Sequence, residues 1–403
     1  MYRNIKKFEP LLPSEAVRDG VLEQANHLRQ VATHAAMQTH PSAMAAVVPL
    51  LRKMNSYYTN RIEGQHTLPV QIDEALRQQF SGDAKTQRNQ RLAIAHMNAE
   101  QWGEQAFGTQ NNWRLLTNPD TITKLHHALF DQLPQQDLVD DNGVRLVAGA
   151  LRKQDVTVGS HIAPTAASVP VFLQGFDEFY SKTRDGELAI VAVAAMHHRL
   201  AWIHPFADGN GRVARLHSHL LFHYMGLSNG AWSPLRGLAR SQSDSQFDYY
   251  AALANADAPR QGDLDGRGNL SEKSLLAFIQ YFLDVCIDQA VFMGHMLNTQ
   301  TMKNRIAACL AYESQLEHSA IRLEALLPMH YLFTTGSLER GQFKQMTGLA
   351  VRASERCLKG LLDRELLVSD SPKGLLRFGA PMHALRFYFP ALWPEAEASE
   401  GRR

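Results

Sequence analysis

The sequence predicts a mainly α protein with a short β-hairpin in its middle and a small helical unit, with its own hairpin, at its end. Three observations predict this. Long stretches rich in Ala, Leu, Gln and Arg with few breakers dominate the chain. Before the C-terminal region only one segment, Asp155-Val156-Thr157-Val158-Gly159, alternates as a strand does. After Ser319 the order helix, helix, helix, hairpin repeats nothing seen earlier.

Taken in order, residues 14–64 read as helical and end at Gly64, a residue suited to a helix stop. Leu68–Gln79 and Arg91–Phe107 read as two further helices, and Asp120–Leu133 is amphipathic, with Ile122, Leu125, Leu129 and Leu133 at helical spacing. From Asn142 to Pro170 the chain is rich in Gly, Val and Thr. Helical periodicity returns at Val171–Lys182 and at Leu188–Trp202, which is apolar nearly all round and so predicts a central buried helix. A further helix runs from Arg212 to Tyr224. Gly262–Gly268 is a loop, Ser271–Gln315 a long helical stretch, and 319–393 a separate small unit. The domains expected are therefore 1–110, 111–315 and 316–403.

Composition narrows the function classes. With 403 residues, 45% of them apolar, and a net charge of +1, the chain is globular and not basic enough as a whole to bind nucleic acid by charge. Cys286, Cys309 and Cys357 are widely spaced, which argues for a reducing compartment and against a structural zinc site. The basic start Met1–Lys7 has no apolar segment behind it, and the longest apolar run, Leu188–Met196, is shorter than the ~20 residues that span a bilayer. A cytoplasmic protein without a membrane partner is expected.

Chemistry concentrates in His204-Pro205-Phe206-Ala207-Asp208-Gly209-Asn210-Gly211-Arg212-Val213-Ala214-Arg215, between the buried helix and the one that follows. Gly209 and Gly211 let successive N–H groups turn inward into an anion-binding nest, and the helix N-terminus adds its dipole. Arg212 and Arg215, three apart, share a helix face and can clamp phosphate oxygens. Asp208 offers a hard oxygen ligand for magnesium, and His204 a proton acceptor for a hydroxyl nucleophile. Each piece alone also has a plain reading: a packed histidine, a turn, a solvated helix face. Both arginines are expected to serve donor geometry more than stability.

This segment resembles the signature of the Fic family, H-P-F-x-[D/E]-G-N-G-R-x-x-R, at every fixed position. The resemblance extends more loosely over roughly residues 50–260. It implies a helical Fic-type core and transfer of AMP from ATP-Mg2+ to Ser, Thr or Tyr of a target protein. It further implies His204 as the base that deprotonates the hydroxyl and Asp208 as the magnesium ligand. Gly209, Asn210 and Gly211 would form the phosphate loop, Arg212 and Arg215 would contact the β- and γ-phosphates, and Phe206 would anchor the loop. Val156, Thr157, Val158 and Gly159, followed by His161-Ile162-Ala163-Pro164, resemble the family's β-hairpin flap, whose edge registers a target by main-chain hydrogen bonds. Ala163-Pro164-Thr165 departs from the commoner proline-rich version. Phe247-Asp248-Tyr249-Tyr250 resembles a tyrosine pair near the adenine pocket, packed helical tyrosines being the other reading.

Upstream, Thr59-Asn60-Arg61-Ile62-Glu63-Gly64 resembles the inhibitory motif [S/T]-x-x-x-E-[G/N] of many family members. The implied device is a Glu63 carboxylate that pairs with Arg215 and keeps it from the γ-phosphate.

In the C-terminal unit Ser319–Phe333, Glu339–Met346 and Val351–Leu367 read as helices, the last with Cys357, Leu358, Leu361 and Leu362 on one face. Ser371-Pro372-Lys373-Gly374 turns between Leu366-Leu367-Val368 and Leu375–Phe378. The order resembles a winged helix-turn-helix. Eight Lys/Arg against four Asp/Glu from Arg340 to Arg377 give a local +4, which suits DNA, while protein docking stays equally open. The paired histidines 126–127 and 197–198, with His217, lie in helical stretches. His219 and His223, at i and i+4, have metal-ligand spacing, with packing as the alternative.

The leading expectation is an adenylyltransferase autoinhibited by Glu63, acting on a target protein, itself included. The rivals are removal of AMP from modified proteins and a nucleotide-sensing DNA-binding regulator, against which the intact His204 argues. A homodimer is left open.

Overall fold

The computed structural model describes residues 5–37, 40–108, 112–139, 145–184, 186–240 and 249–392. Met1–Asn4, the Asn142 start of the Gly-rich stretch, Phe247-Asp248 and Trp393 lie outside the described residues.

Four helices come first: α1 (Asp19–Met37), α2 (Pro41–Ile62), α3 (Pro69–Leu76) and α4 (Ala84–Phe107). Next come α5 (Trp113–Thr117), α6 (Pro119–Phe130), the hairpin β1 (Thr157–Val158) and β2 (His161–Ile162), then α7 (Val169–Tyr180). The pair α8 (Gly186–Ile203) and α9 (Asn210–Tyr224) follows, and α10 (Leu235–Arg240), α11 (Tyr249–Ala256), α12 (Glu272–Met296) and α13 (Thr299–Ser314) complete the main body. The C-terminal unit runs α14 (Leu326–Thr335), β3 (Ser337–Leu338), α15 (Arg340–Met346), α16 (Val351–Asp363), β4 (Leu367–Val368), β5 (Leu376–Phe378) and α17 (Leu385–Tyr388). Its strands pair antiparallel in the order β3-β5-β4.

The expected central helix is there. α8 is buried over almost its whole length and packs against α1, α7, α9 and α12. Its alanines 189, 192, 194 and 195 are fully buried, and such small side chains let neighbouring helices approach closely. Buried apolar side chains connect Phe8 to Leu392 in one cluster. The N-terminal segment joins it through Phe8, edge-on to Phe172, and through Arg199, which donates to the Pro10 carbonyl at 2.7 Å. α12 has the length and apolar composition of a membrane span, but its Leu275, Phe278, Ile279, Phe282 and Leu283 are core residues packed towards α1, α8 and α11.

Several boundaries differ from expectation, each for a local reason. α4 begins earlier, at Ala84, because Asp83 caps it by accepting from Thr86 N at 2.8 Å. The stretch 271–315 is two helices, since Asn298 accepts from the amides of Gln300 and Thr301 and starts a new one. The helix expected from Ser319 starts only at Leu326, which places Pro328 in the first turn, where its missing N–H costs nothing. The strand expected over Asp155–Gly159 is only Thr157–Val158, because Asp155 turns away to accept from Ala166 N at 2.7 Å. Val156 thus precedes the strand and Gly159 (φ +59°) makes its turn. The strand β3, too short to carry an alternating pattern, had no sequence signal.

Candidate active site

α8 ends where His204 takes a left-handed backbone (φ +51°), a conformation in which His is enriched among non-glycine residues, and Pro205 then forbids further helix. The loop that follows is held from inside. Asn210 Oδ1 accepts from Phe206 N at 2.8 Å and its Nδ2 donates to Phe206 O at 2.9 Å. Phe206 is buried and stacks on His126, whose Nε2 meets the Asp208 carbonyl at 3.1 Å. Asn210, expected in the phosphate loop, therefore serves as the loop's internal brace through its side chain.

Gly209 is left-handed (φ +80°), and a Cβ there would lie 2.6 Å from the Phe130 ring, so only glycine fits. The intrahelical ladder of α9 begins with Val213 N donating to Gly209 O, which leaves the amides of Asn210, Gly211 and Arg212 without an intrahelical carbonyl. Asp208 is the most accessible charged group, one third exposed, and accepts from Arg212 at 3.1 Å. Arg212 lies over the Phe130 ring, and its Nε is buried without a partner. A buried donor of that kind is open to an acceptor, a ligand oxygen or a water.

His204 is half-buried. Burial, then the Arg152 guanidinium and His161, push its imidazole down to about 4, with the Ala201 carbonyl and Asp208 pulling the other way. It is thus a neutral base at pH 7.

The predicted inhibitory residue is beside the predicted clamp. α2 ends in a Schellman turn: Gln65 N donates to Asn60 O, Gly64 N to Arg61 O, and Gly64 has φ +71°. This leaves Glu63 at the helix C-terminus, where a carboxylate is unfavourable unless a cation answers it. Arg215 does so through an ion pair to Glu63 Oε1, and its Nε donates to Thr59 Oγ1 at 2.9 Å. Burial would lower the Arg215 guanidinium, but Glu63, with Tyr249 and Tyr250, raises it above its ordinary value. Glu63 also lies against the loop, since a Cβ on Gly211 would be 2.5 Å from its Oε1. Arg215 is 1% exposed and bonds Thr59 and Glu63, so it ties α9 to α2 as well as standing beside the loop.

Of the tyrosine pair, Tyr249 is buried, with its hydroxyl 2.8 Å from His197 Nε2, and Tyr250 is exposed and donates to the Ile62 carbonyl at 2.9 Å. The hairpin pairs Thr157 with Ile162 and Val158 with His161, and Thr157, Val158, Gly159 and Ile162 are exposed.

His219 and His223 do not act together as a ligand pair. His219 Nε2 meets Glu104 at 2.9 Å beside Glu100, and burial pulls its pKa down while the two carboxylates raise it above the ordinary value. Arg52 bridges the same two carboxylates and already supplies the cation that this cluster needs.

One buried side chain beside the loop escaped the sequence reading. Arg152 is buried and donates to the carbonyls of His204 (2.7 Å), Gln154 (2.9 Å) and Pro164 (2.5 Å). An arginine in a Gly/Val/Thr-rich stretch looks solvated, and only the fold reveals its three acceptors.

Residues 116–222 match the profile of the Fic/DOC family. The protein adenylyltransferase Fic of Drosophila mojavensis is 31% identical over 139 residues, covering 34% of this chain and 26% of that protein. That of Drosophila willistoni is 24% identical over 209 residues, 52% of this chain and 37% of the other. The chain thus spans about a quarter to a third of the length of these curated relatives. Among solved structures, a Fic family protein from Desulfovibrio desulfuricans G20 superposes with a TM-score of 0.51 at 17% identity, over 92% of this chain and 98% of that one. Fic-1 from C. elegans does so with 0.50 at 20%, over 71% and 74%. These likenesses extend the fold beyond the profile match. The loop geometry, the helical architecture around it and the profile match converge on one assignment: residues 116–222 of this chain are a Fic/DOC family domain.

Proposed function

We propose that this protein transfers AMP from magnesium-bound ATP to a Ser, Thr or Tyr hydroxyl of a target protein, and that Glu63 holds it inhibited. The observation that carries the reading is the Glu63–Arg215 pair against Gly211, a carboxylate held where a triphosphate would need the arginine. The relatives named protein adenylyltransferase support the chemistry.

Neutral His204 takes the hydroxyl proton as the target oxygen attacks the α-phosphorus. The new O–P bond replaces the bond to the β-phosphate bridging oxygen, and pyrophosphate leaves. The open amides of α9, Arg212 and Arg215 take up the phosphate charge. Asp208, an accessible hard oxygen donor, would hold magnesium, which would neutralise phosphate charge. The exposed edge of β1–β2 aligns the target main chain.

A second reading is removal of AMP from modified proteins, because the partly exposed Glu63 carboxylate beside the loop is placed to orient a water. The C-terminal unit we read as a winged helix, with Arg352, Arg356 and Lys359 exposed on one face of α16. A gel-shift assay with and without ATP distinguishes DNA binding from protein docking there.

The test is α-labelled ATP and magnesium in cell lysate, with wild type, Glu63→Gly and His204→Ala, followed by mass spectrometry. Label on protein that depends on His204 is expected, and no label with any variant overturns adenylyl transfer. AMP released from a premodified target would favour the second reading.

A further inference from the structure

We propose that Arg152 is a positioning residue that locks the β1–β2 hairpin to the loop carrying His204, so that a target strand paired to the hairpin presents its hydroxyl at that imidazole. The inference deepens the adenylyl-transfer reading and, for its catalytic half, rests on it.

Gln154 lies just before β1 and Pro164 two residues after β2, so one guanidinium spans the base of the hairpin. Its Nε reaches the His204 carbonyl, and its own amide donates to Pro205 O at 2.9 Å. Five rigid donors in a plane suit such a convergence, and a lysine ammonium does not. Burying a cation on carbonyls is unfavourable, and burial lowers the Arg152 pKa, with the Asp155 carboxylate pulling the other way. A second peg acts from the other strand, where His161 Nε2 meets the Trp202 carbonyl at 2.8 Å and its Nδ1 faces Asp257 at 3.6 Å. The hairpin is thus fastened to the end of α8 at both strands, while its outer face stays exposed. The Arg152 charge also bears on His204, together with His161 against it and Asp208 and the Ala201 carbonyl for it.

The test uses the full chain in a Glu63→Gly background and compares Arg152→Lys with Arg152→Gln. The first keeps the charge and loses the fork; the second keeps donors and loses the charge. Both are expected to lower kcat for protein labelling by about 10- to 100-fold, as a misplaced nucleophile does, with ATP affinity unchanged. Amide hydrogen exchange across Thr157–Ile162 should quicken in both. By NMR, with the signal assigned from His204→Ala, the His204 titration should move to higher pH in Arg152→Gln and stay in Arg152→Lys. Exchange and titration need no activity, so they test the lock even if the Glu63→Gly parent transfers no AMP, an outcome that would count against the activity alone. Parental kcat, exchange and titration in both variants would overturn the proposal. So would a kcat loss accompanied only by a lower melting temperature.

Discussion

Replacing Glu63 by glycine is the perturbation with the most to say. The carboxylate makes an ion pair with Arg215, which is 1% exposed, and is itself about a quarter exposed. Stripping one partner from a fully buried pair costs about 3–5 kcal/mol; with Glu63 partly solvated and Thr59 still holding Arg215, about 1–3 kcal/mol of stability is expected to go. In return, on the proposed reading, Arg215 would be free for the γ-phosphate. One charge-assisted hydrogen bond is worth about 1.5–3 kcal/mol, hence a gain of about 10- to 150-fold in AMP transfer. Because Glu63 Oε1 also lies against Gly211, charge and bulk must be separated. Glu63→Gln keeps the bulk and should recover only part of the gain. Glu63→Gly with Arg215→Ala should lose the arginine's share. Radiolabel from α-labelled ATP on protein gels, beside thermal melts, reads all four proteins. Equal labelling of wild type and Glu63→Gly would refute the inhibitory role, and a double variant as active as Glu63→Gly would leave only obstruction of the loop.

Other outcomes follow from the same contacts. His204→Ala should bind ATP-Mg2+ yet transfer AMP about 100- to 10,000-fold more slowly; calorimetry and labelling check it. Since the His204 pKa falls to about 4 in the folded protein, activity should hold below pH 6. The sign for stability is that the unfolded chain takes up the His204 proton near pH 6.5 and the native state does not, so stability is lost as pH falls from 6.5 towards 4, and His204→Ala should lessen that loss in acid melts. Arg215→Lys should impair transfer and also destabilise by about 1–3 kcal/mol, because an ammonium cannot serve Thr59 and Glu63 together. Gly209→Ala should cost about 1–2 kcal/mol for its left-handed backbone and about 1–3 kcal/mol for overpacking on Phe130. Gly226→Ala (φ +69°), with open space around it, should show the backbone cost alone in the same melts.

The sequence made the candidate catalytic loop legible because its residues are contiguous: His204 to Arg215 is one helix end, one turn and one helix start. α8 was legible from its unbroken apolar run, and the end of α2 from Gly64. What escaped was tertiary. Seven mostly polar residues from Ala84 to Gln90 hid the start of α4, because Asn89 and Gln90 are buried and Gln90 is met by Ser81 N and Gln71 O from outside the helix. The double duty of Arg215 was invisible for a like reason. A helix pattern shows which face an arginine shares, not that the hydroxyl of Thr59, far away in sequence, waits on that face.

The position of Glu63 on its helix matters as much as its partner. Upstream on α2, Arg52 bridges Glu100 and Glu104, Asn55 donates to Glu100 at 3.2 Å, and Ser56 donates to the Ala93 carbonyl at 2.7 Å. Burial opposes the Glu104 charge, yet His219 and Arg52 hold its carboxyl down to about 2, so this anchor is ionic across the physiological range. Undocking the whole helix would strand those buried charges, at about 3–5 kcal/mol for each broken pair. The last turn is different. It ends in the Gly64 reversal, its carboxylate is partly solvated, and Thr59 and Glu63 both bond Arg215 of α9. Helix ends open far more readily than helix centres. On the proposed inhibition, loosening that one turn would free Arg215 while the Arg52, Asn55 and Ser56 anchors of α2 stay seated.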